Sequence, residues 1–392
     1  MAENFLNKLG LNKHKIPQSP APGVYHFMRE NEEERVRLHL RVDEDRSGLL
    51  IINGAQILHL NPTALIMAWL YLKEIPEKEA IHFLQQSFQV NNILAKSDYA
   101  QFTSQIEQVI HPNGACPICD LNFETILPFS TNPSAPYRMD LAITYRCNNN
   151  CSHCYNARSR SFPELDTNTW KKVLEKVWNA GIPHVVFTGG EPTLRNDLPE
   201  LIAYASEIGM ISGINTNGRR LKDPAFVESL IKAGLDHVQI TLESHDSTIH
   251  DDMVAAPGAW QDTTTGLRTV LQYPQLYIMT NTTLLQTNSP YLKQTMSFLH
   301  EMGIPTMGIN ALIYSGSGVT VKSGLPEKDL PGLLTIAREF TAKSGQRLIW
   351  YTPTQYCHFD PTQLELGVKG CTAARYSMCV EPDGGVLPCQ SY

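Results

Sequence analysis

A chain of 392 residues and 43.9 kDa is more than twice a typical domain, so two or three folding units are expected. Apolar residues make up 42% and charged residues 18%, which excludes a disordered or collagen-like chain. Lys and Arg number 32 against 39 Asp and Glu, so the net charge of −7 lacks the global basic footprint of a nucleic-acid binder, and no nucleic-acid partner is expected. The opening MAENFLNKLGLNKHKIP has no apolar core of signal-peptide length, which predicts a cytoplasmic protein. The uncharged stretch 47–72 is interrupted by Asn53, Gly54, Gln56, His59, Asn61 and Pro62. The apolar run that remains, 64–72, is far short of the about 20 residues a bilayer demands, so no membrane span is expected. Nine cysteines, an odd number with five in CxxC or CxxxC groupings, favour thiolate ligation over disulfides.

Residues 1–112 read as a compact α+β unit. RVRLHLRV over 35–42 alternates apolar with polar, and LLII and AQILHL flank Asn53-Gly54, a strong type I′ hairpin signal, which predicts a three-stranded meander. Asn61-Pro62 supplies an N-cap and a first-turn proline for a helix over 63–74, Pro76 opens a second over 77–88, and a third is expected over 98–110. This order, with the LHLNPTA turn between hairpin and helices, resembles the peptide-chaperone fold of pyrroloquinoline-quinone biosynthesis, related to the peptide-recognition domains of ribosomal-peptide maturation. Any small winged-helix-like domain has the same order. The resemblance implies a precursor-peptide partner docking on an exposed sheet edge.

Residues 113–136, rich in Pro, Asn, Ser and Gly and containing Cys116-Pro117-Ile118-Cys119, read as a linker. Strand candidates follow at 141–144, 184–188, 210–216, 237–243, 277–285 and 307–314, alternating with amphipathic stretches such as 168–180 and 198–208. Gly181, Gly209, Gly234 and Gly303 fall where helix C-caps belong, and the strands show little polar alternation, as buried parallel sheets require. The expected fold is α/β: a partial (β/α)6 TIM-like barrel over 137–345, its function at the strand C-termini, after a small winged-helix-like N-terminal domain.

The first barrel strand runs into Cys147-Asn148-Asn149-Asn150-Cys151-Ser152-His153-Cys154-Tyr155. Three thiolates on one loop leave one iron of a cubane [4Fe–4S] cluster without a protein ligand and open to a small molecule. Structural zinc with His153 as fourth ligand is the alternative, made awkward by His153 adjoining Cys154. The CxxxCxxC, the aromatic Tyr155 after it, and Thr188-Gly189-Gly190-Glu191-Pro192 closing strand two together resemble the radical S-adenosylmethionine (SAM) superfamily. That resemblance implies that Cys147, Cys151 and Cys154 hold the cluster and that Gly189, Gly190 and Glu191, with Tyr155, hold SAM. Glu191 would accept from the methionine ammonium, and the two glycines would let backbone approach the ligand. It further implies reductive cleavage of SAM to a 5′-deoxyadenosyl radical that abstracts hydrogen from substrate, an electron arriving from a donor such as a ferredoxin or flavodoxin. A turn with a dipole-favoured carboxylate is the plainer reading of Gly-Gly-Glu.

Thr216 and Asn217 after strand three, and Thr241 and Glu243 at the end of strand four, resemble adenosine-binding positions, although the family's fourth strand usually carries a serine and an aspartate there. Gly308 and Asn310 on strand six resemble an adenine-backing strand more weakly; turn chemistry or core packing is the plainer reading of all of these. Over 346–392, Cys371 and Cys389 frame a β-hairpin turn at Pro382-Asp383-Gly384-Gly385, in a spacing that resembles the start of a SPASM or twitch extension. That implies an auxiliary iron–sulfur cluster at Cys371 and Cys389 with Cys379, Cys357 or residues beyond Tyr392, and a truncated extension; zinc or free buried thiols are the alternatives. Cys116 and Cys119 stay unassigned. The function expected is a radical SAM enzyme maturing a ribosomally made peptide. The alternatives are the same core acting on a small molecule or tetrapyrrole, as in haem synthesis, and a non-enzymatic iron–sulfur electron carrier or scaffold.

Overall fold

A computed structural model describes residues 18–30, 35–111, 127–156 and 158–392. The chain divides into two compact units, Met1–Thr125 and Ile126–Tyr392. In the first, β1 (Gly23–Glu30), β2 (Arg35–Val42), β3 (Gly48–Ile52) and β4 (Gln56–Leu60) form an antiparallel sheet in chain order, one strand more than the meander expected from sequence. Asn53 and Gly54 both take positive φ (51° and 65°), and Ala55 N–H donates to the Ile52 carbonyl, as a type I′ turn requires. Three helices follow: α1 (Pro62–Leu72), α2 (Glu77–Phe88) and α3 (Asn92–Ile110). Asn61 caps α1 by accepting from Ala64 N–H at 2.9 Å. Helix α3 starts at Asn92, ahead of the expected 98, because Asn91 caps it by accepting from Leu94 N–H. Val36, Leu38, Leu40 and Val42 on one face of β2 pack with Leu65, Ala68 and Ile106 from the helices.

The second unit is the expected partial barrel. Six parallel strands, β5 (Arg138–Thr144), β6 (His184–Gly189), β7 (Ile211–Thr216), β8 (His237–Thr241), β9 (Tyr277–Leu284) and β10 (Thr306–Ala311), lie side by side in chain order. Between and after them run α4 (Thr167–Asn179), α5 (Leu198–Glu207), α6 (Pro224–Lys232), the pair α7 (Ser247–Val254) and α8 (Ala259–Val270), α9 (Leu292–Glu301) and α10 (Leu330–Ser344). Leu141, Phe187, Ile214, Ile240, Ile278 and Ile309 point outward into one core with Leu174, Leu201, Leu230, Leu267, Leu299 and Leu334. Each such side chain contributes on the order of 1.5–3 kcal/mol by leaving water. Three further strands extend this sheet. β11 (Arg347–Trp350) joins β10 in parallel, and β12 (Ser377–Val380) joins β5 in parallel before turning into β13 (Val386–Leu387). The cysteine-bearing hairpin of residues 346–392 is thus part of the barrel's own sheet.

The inward face is polar because alternate strand residues must point there. The His237 ring crosses β7 where Gly213 has no side chain, a Cβ there falling 1.8 Å from the ring, and its Nε2 lies 2.8 Å from that of His184. Burial, reinforced by the nearby Arg138 charge, pushes the His237 pKa down to about 4, so this imidazole is neutral.

Candidate active site

The 145–155 loop leaves β5 at its C-terminal end, and protein groups hold its backbone on every side. Arg160 donates to the carbonyls of Cys147 (2.7 Å) and Asn149 (2.5 Å), and Arg219 donates to the Asn148 carbonyl (2.8 Å) and Asn149 Oδ1 (3.0 Å). Asn150 N–H donates to Val254 O and Ser152 N–H to Met253 O, tying the loop to α7, while Ser317 N–H donates to Cys154 O. The three thiols are left with little engagement: Cys147 Sγ accepts from Asn149 N–H at 3.4 Å. Burial pushes the Cys147 and Cys151 thiols up, and for Cys151 the charge of Glu243 and of the other two cysteines adds to it. Such a set requires a cationic centre to hold it ionised.

The Thr188-Gly189-Gly190-Glu191 turn is stitched to this loop's root: Gly190 N–H donates to Thr144 O (2.7 Å) and Glu191 N–H to Arg146 O (2.8 Å). A Cβ on Gly189, whose φ is 134°, would sit 2.0 Å from Thr144 O, and one on Gly190 would sit 2.3 Å from Arg146 O. The glycines are therefore required by backbone passing backbone. Glu191 is 1% exposed, and its carboxylate accepts from Thr193 N–H and Oγ1, Thr216 Oγ1 and Asn217 N–H, all within 3.1 Å. Burial raises its pKa against the pull of those bonds. It bolts β6 to β7, so the carboxylate expected from sequence to accept from the methionine ammonium is already engaged by four protein donors.

Asn217 also donates from Nδ2 to Asn148 Oδ1 at 2.6 Å, joining the end of β7 to the cysteine loop. Thr241, half-buried, ends β8 on the inward face opposite Ile240. Glu243 turns instead to the loop. Its carboxylate, 1% exposed, lies 2.9 Å from His153 Nε2 and accepts from Thr283 N–H at 2.8 Å. Burial opposes a charged imidazole, but the Glu243 charge and hydrogen bond outweigh it and hold the His153 pKa above its ordinary value. The Glu243 contact occupies Nε2 of His153, the ligand a zinc site would have needed. Among the described residues Nδ1 is left without a hydrogen-bond partner, but no three His, Cys, Asp or Glu side chains converge on a single ion.

Residues 141–299 match the family model described as the Radical SAM superfamily. Over those residues the barrel is a radical SAM domain. The PqqA peptide cyclase of Gluconobacter oxydans is 29% identical over 264 residues, 67% of this chain and 72% of that protein. The AdoMet-dependent heme synthase of Methanosarcina barkeri is 30% identical over 187 residues, 47% of this chain and 53% of that one, so the chain spans about half of that relative's length. Among solved structures, Streptococcus suis SuiB bound to precursor peptide SuiA superposes over 94% of this chain and 84% of that one with a TM-score of 0.65 at 15% identity. Native anSMEcpe with bound AdoMet covers 66% of this chain and 75% of its own with a TM-score of 0.53 at 17% identity. At these identities the two structures speak for the fold alone.

A radical SAM enzyme works with a [4Fe–4S] cluster and SAM, and the donor set fits: three thiols on one loop whose backbone is held by Arg160, Arg219 and α7. The remaining cysteines are placed very differently. Cys379 is fully buried against Ala142, Tyr145, Phe162 and Leu387, and burial, with the charges of Asp140, Glu381 and Cys389, pushes its pKa up to about 12. Cys389 is half-buried with its Sγ 3.2 Å from Ser391 Oγ; Cys371 and Cys357 are exposed. Ala374 N–H donates to Pro388 O at 3.2 Å, which lays the segments carrying Cys371 and Cys389 side by side. Cys116 and Cys119 lie outside the described residues. Sequence reasoning missed Arg160, Arg219, the His153–Glu243 pair and Gln390, whose amide reaches Tyr155, Thr188 and Gly189. Arg160 acts 11 and 13 residues away on the same loop region, whereas the others act across 70 residues or more and only a pairing of strand ends would have revealed them.

Proposed function

We propose that this radical SAM enzyme matures a ribosomally made precursor peptide, with Cys147, Cys151 and Cys154 holding its cluster and the backbone of Thr188-Gly189-Gly190 receiving the ammonium end of SAM. When bound, the cluster and SAM would supply the radical chemistry that takes hydrogen from the substrate. The chain's own part is to hold three thiols free on a tied loop, to fix the glycine turn through Glu191, and to shelter the site inside the barrel. Cys371 and Cys389 are the proposed ligands of an auxiliary cluster, with Cys379 behind them, and a ferredoxin or flavodoxin is the proposed electron donor.

The observation that carries this reading is the loop whose backbone is tied down by Arg160, Arg219 and α7 while, among the described residues, its three thiols make a single hydrogen bond, from Asn149 N–H to Cys147. For a peptide substrate, support comes from the names of the relatives and from the N-terminal unit, where β4 is an edge strand beside α1 with Gln56 and His59 exposed, a place for an extended peptide to add as a strand. Similarity to a heme synthase over 47% of the chain favours the second reading, a small molecule or tetrapyrrole. Anaerobically reconstituted full-length protein, given reductant and SAM, should release 5′-deoxyadenosine, and should bind a peptide encoded beside its gene. No release would defeat the cluster assignment. Release without affinity for any such peptide would favour the second reading.

A further inference from the structure

Gln390, one residue beyond Cys389, places its side chain among groups from two separate parts of the radical site. Its Oε1 accepts from Tyr155 Oη at 3.0 Å and from Thr188 Oγ1 at 3.3 Å, and its Nε2 donates to the Gly189 carbonyl at 2.9 Å. Tyr155 directly follows Cys154, and Thr188-Gly189 ends β6. A single primary amide therefore bridges the cysteine loop and the glycine turn. No other side-chain type meets this set as well: a carboxylate would accept from both hydroxyls but would face the Gly189 carbonyl with a lone pair, and an ammonium has no acceptor for the hydroxyls. The amide also leaves one N–H unspent, and the Gly189 carbonyl keeps a second lone pair. Thr188 is buried and Gln390 and Tyr155 are half-buried, so the network is partly shielded from competing water.

We propose that Gln390 is a positioning residue of the SAM site: it fixes the Gly189 carbonyl and Tyr155 in the arrangement that receives the amino-acid end of SAM. This rests on the assignment of the glycine turn made above and adds to it a residue from the C-terminal segment. The role is one of affinity and geometry, since a neutral amide neither gives nor takes a proton in the reaction.

The test is equilibrium binding of SAM to anaerobically reconstituted full-length protein, with electron paramagnetic resonance of the reduced cluster before and after SAM is added. Gln390→Ala should weaken SAM binding about tenfold, the loss expected of two or three neutral hydrogen bonds, and should reduce the SAM-induced change in the spectrum while iron content stays at the parental level. Gln390→Glu, of the same shape, should not restore affinity, because it lacks the N–H for Gly189. Tyr155→Phe should cost about twofold to fivefold and should be less than additive with Gln390→Ala, since both remove the same contact. If Gln390→Ala fails to fold or loses iron, the isosteric Gln390→Glu decides alone. Affinity within twofold of the parent in both variants would overturn the proposal, and so would tighter binding, which would make Gln390 an occupant of the site. Failure of the parent protein to bind SAM would instead overturn the assignment of the turn.

Discussion

The two sets of cysteines, the tight triplet at 147–154 and the widely spaced set at 371–389, have opposite surroundings. Around Cys147, Cys151 and Cys154 the protein ties down backbone with Arg160, Arg219 and α7 and leaves sulfur free. Around Cys379 it packs sulfur among Ala142, Tyr145, Phe162 and Leu387, while Cys371 stands exposed. Spacing proposes a ligand, but only the scaffolding of the intervening backbone shows which thiols are held ready. The first set is a finished mount, and the second depends on whatever else joins it.

The largest effect that would break this contrast comes from replacing Cys147, Cys151 and Cys154 with Ala together. Released 5′-deoxyadenosine should fall to background, and bound iron should drop by about the four atoms of one cubane; retained cleavage would refute the ligand set. Next in size is Gly190→Ala. Its Cβ would meet the Arg146 and Tyr145 carbonyls at 2.3 and 2.6 Å, so a loss of about 1–3 kcal/mol is expected, read as a melting shift of roughly 3–10 °C. A pH series tests the barrel floor against its mouth. His237 has a depressed folded pKa of about 4, so its stabilising contribution is complete above the unfolded value near 6.5 and is lost as pH falls towards 4, by roughly 3 kcal/mol. Urea midpoints of His237→Gln should show a flatter slope across that window; an unchanged slope would show that other groups carry it. Within the second set, Cys371→Ser should lower iron content, whereas Cys379→Ser should leave iron unchanged and cost about 1–3 kcal/mol by burying a hydroxyl in an apolar pocket. Iron lost in Cys379→Ser would make that thiol a ligand. The smallest effect lies outside the barrel, in the loss of about 1 kcal/mol from the α1 cap in Asn61→Ala, measured by chemical unfolding.

Much of the fold was legible because its signals are local. The Asn53-Gly54 turn, the Asn61-Pro62 helix start and the six strand and helix units each announce themselves within a few residues. Helix α3 was read short because Ile93 and Leu94 in its first turn face solvent, 83% and 46% exposed, and hide the helical period. β1 was missed because GVYHFMRE lacks polar alternation: Tyr25 and Phe27 both pack on Trp69 from one face, while Val24 and Met28 occupy the other. The cysteine loop and the glycine turn were legible as motifs, but the reason for the glycines was not, since it lies in the approach of β5. His153 and Glu243 are 90 residues apart, and Tyr155 and Gln390 235 apart, so neither pair leaves a mark in any window of sequence.

The pairing of β12 with β5 sets an order on the birth of this protein. The strand that leads into the cysteine loop emerges from the ribosome well before one of its two neighbours, which starts 233 residues after its own last residue, Thr144. Until that neighbour arrives, β5 offers an open ladder of backbone groups, and iron delivered early would meet a half-built housing. Metal loading of this molecule is accordingly a task for a chain that already carries β12, and a stalled or nicked product ending before residue 377 would be prone to aggregate through the open edge of β5.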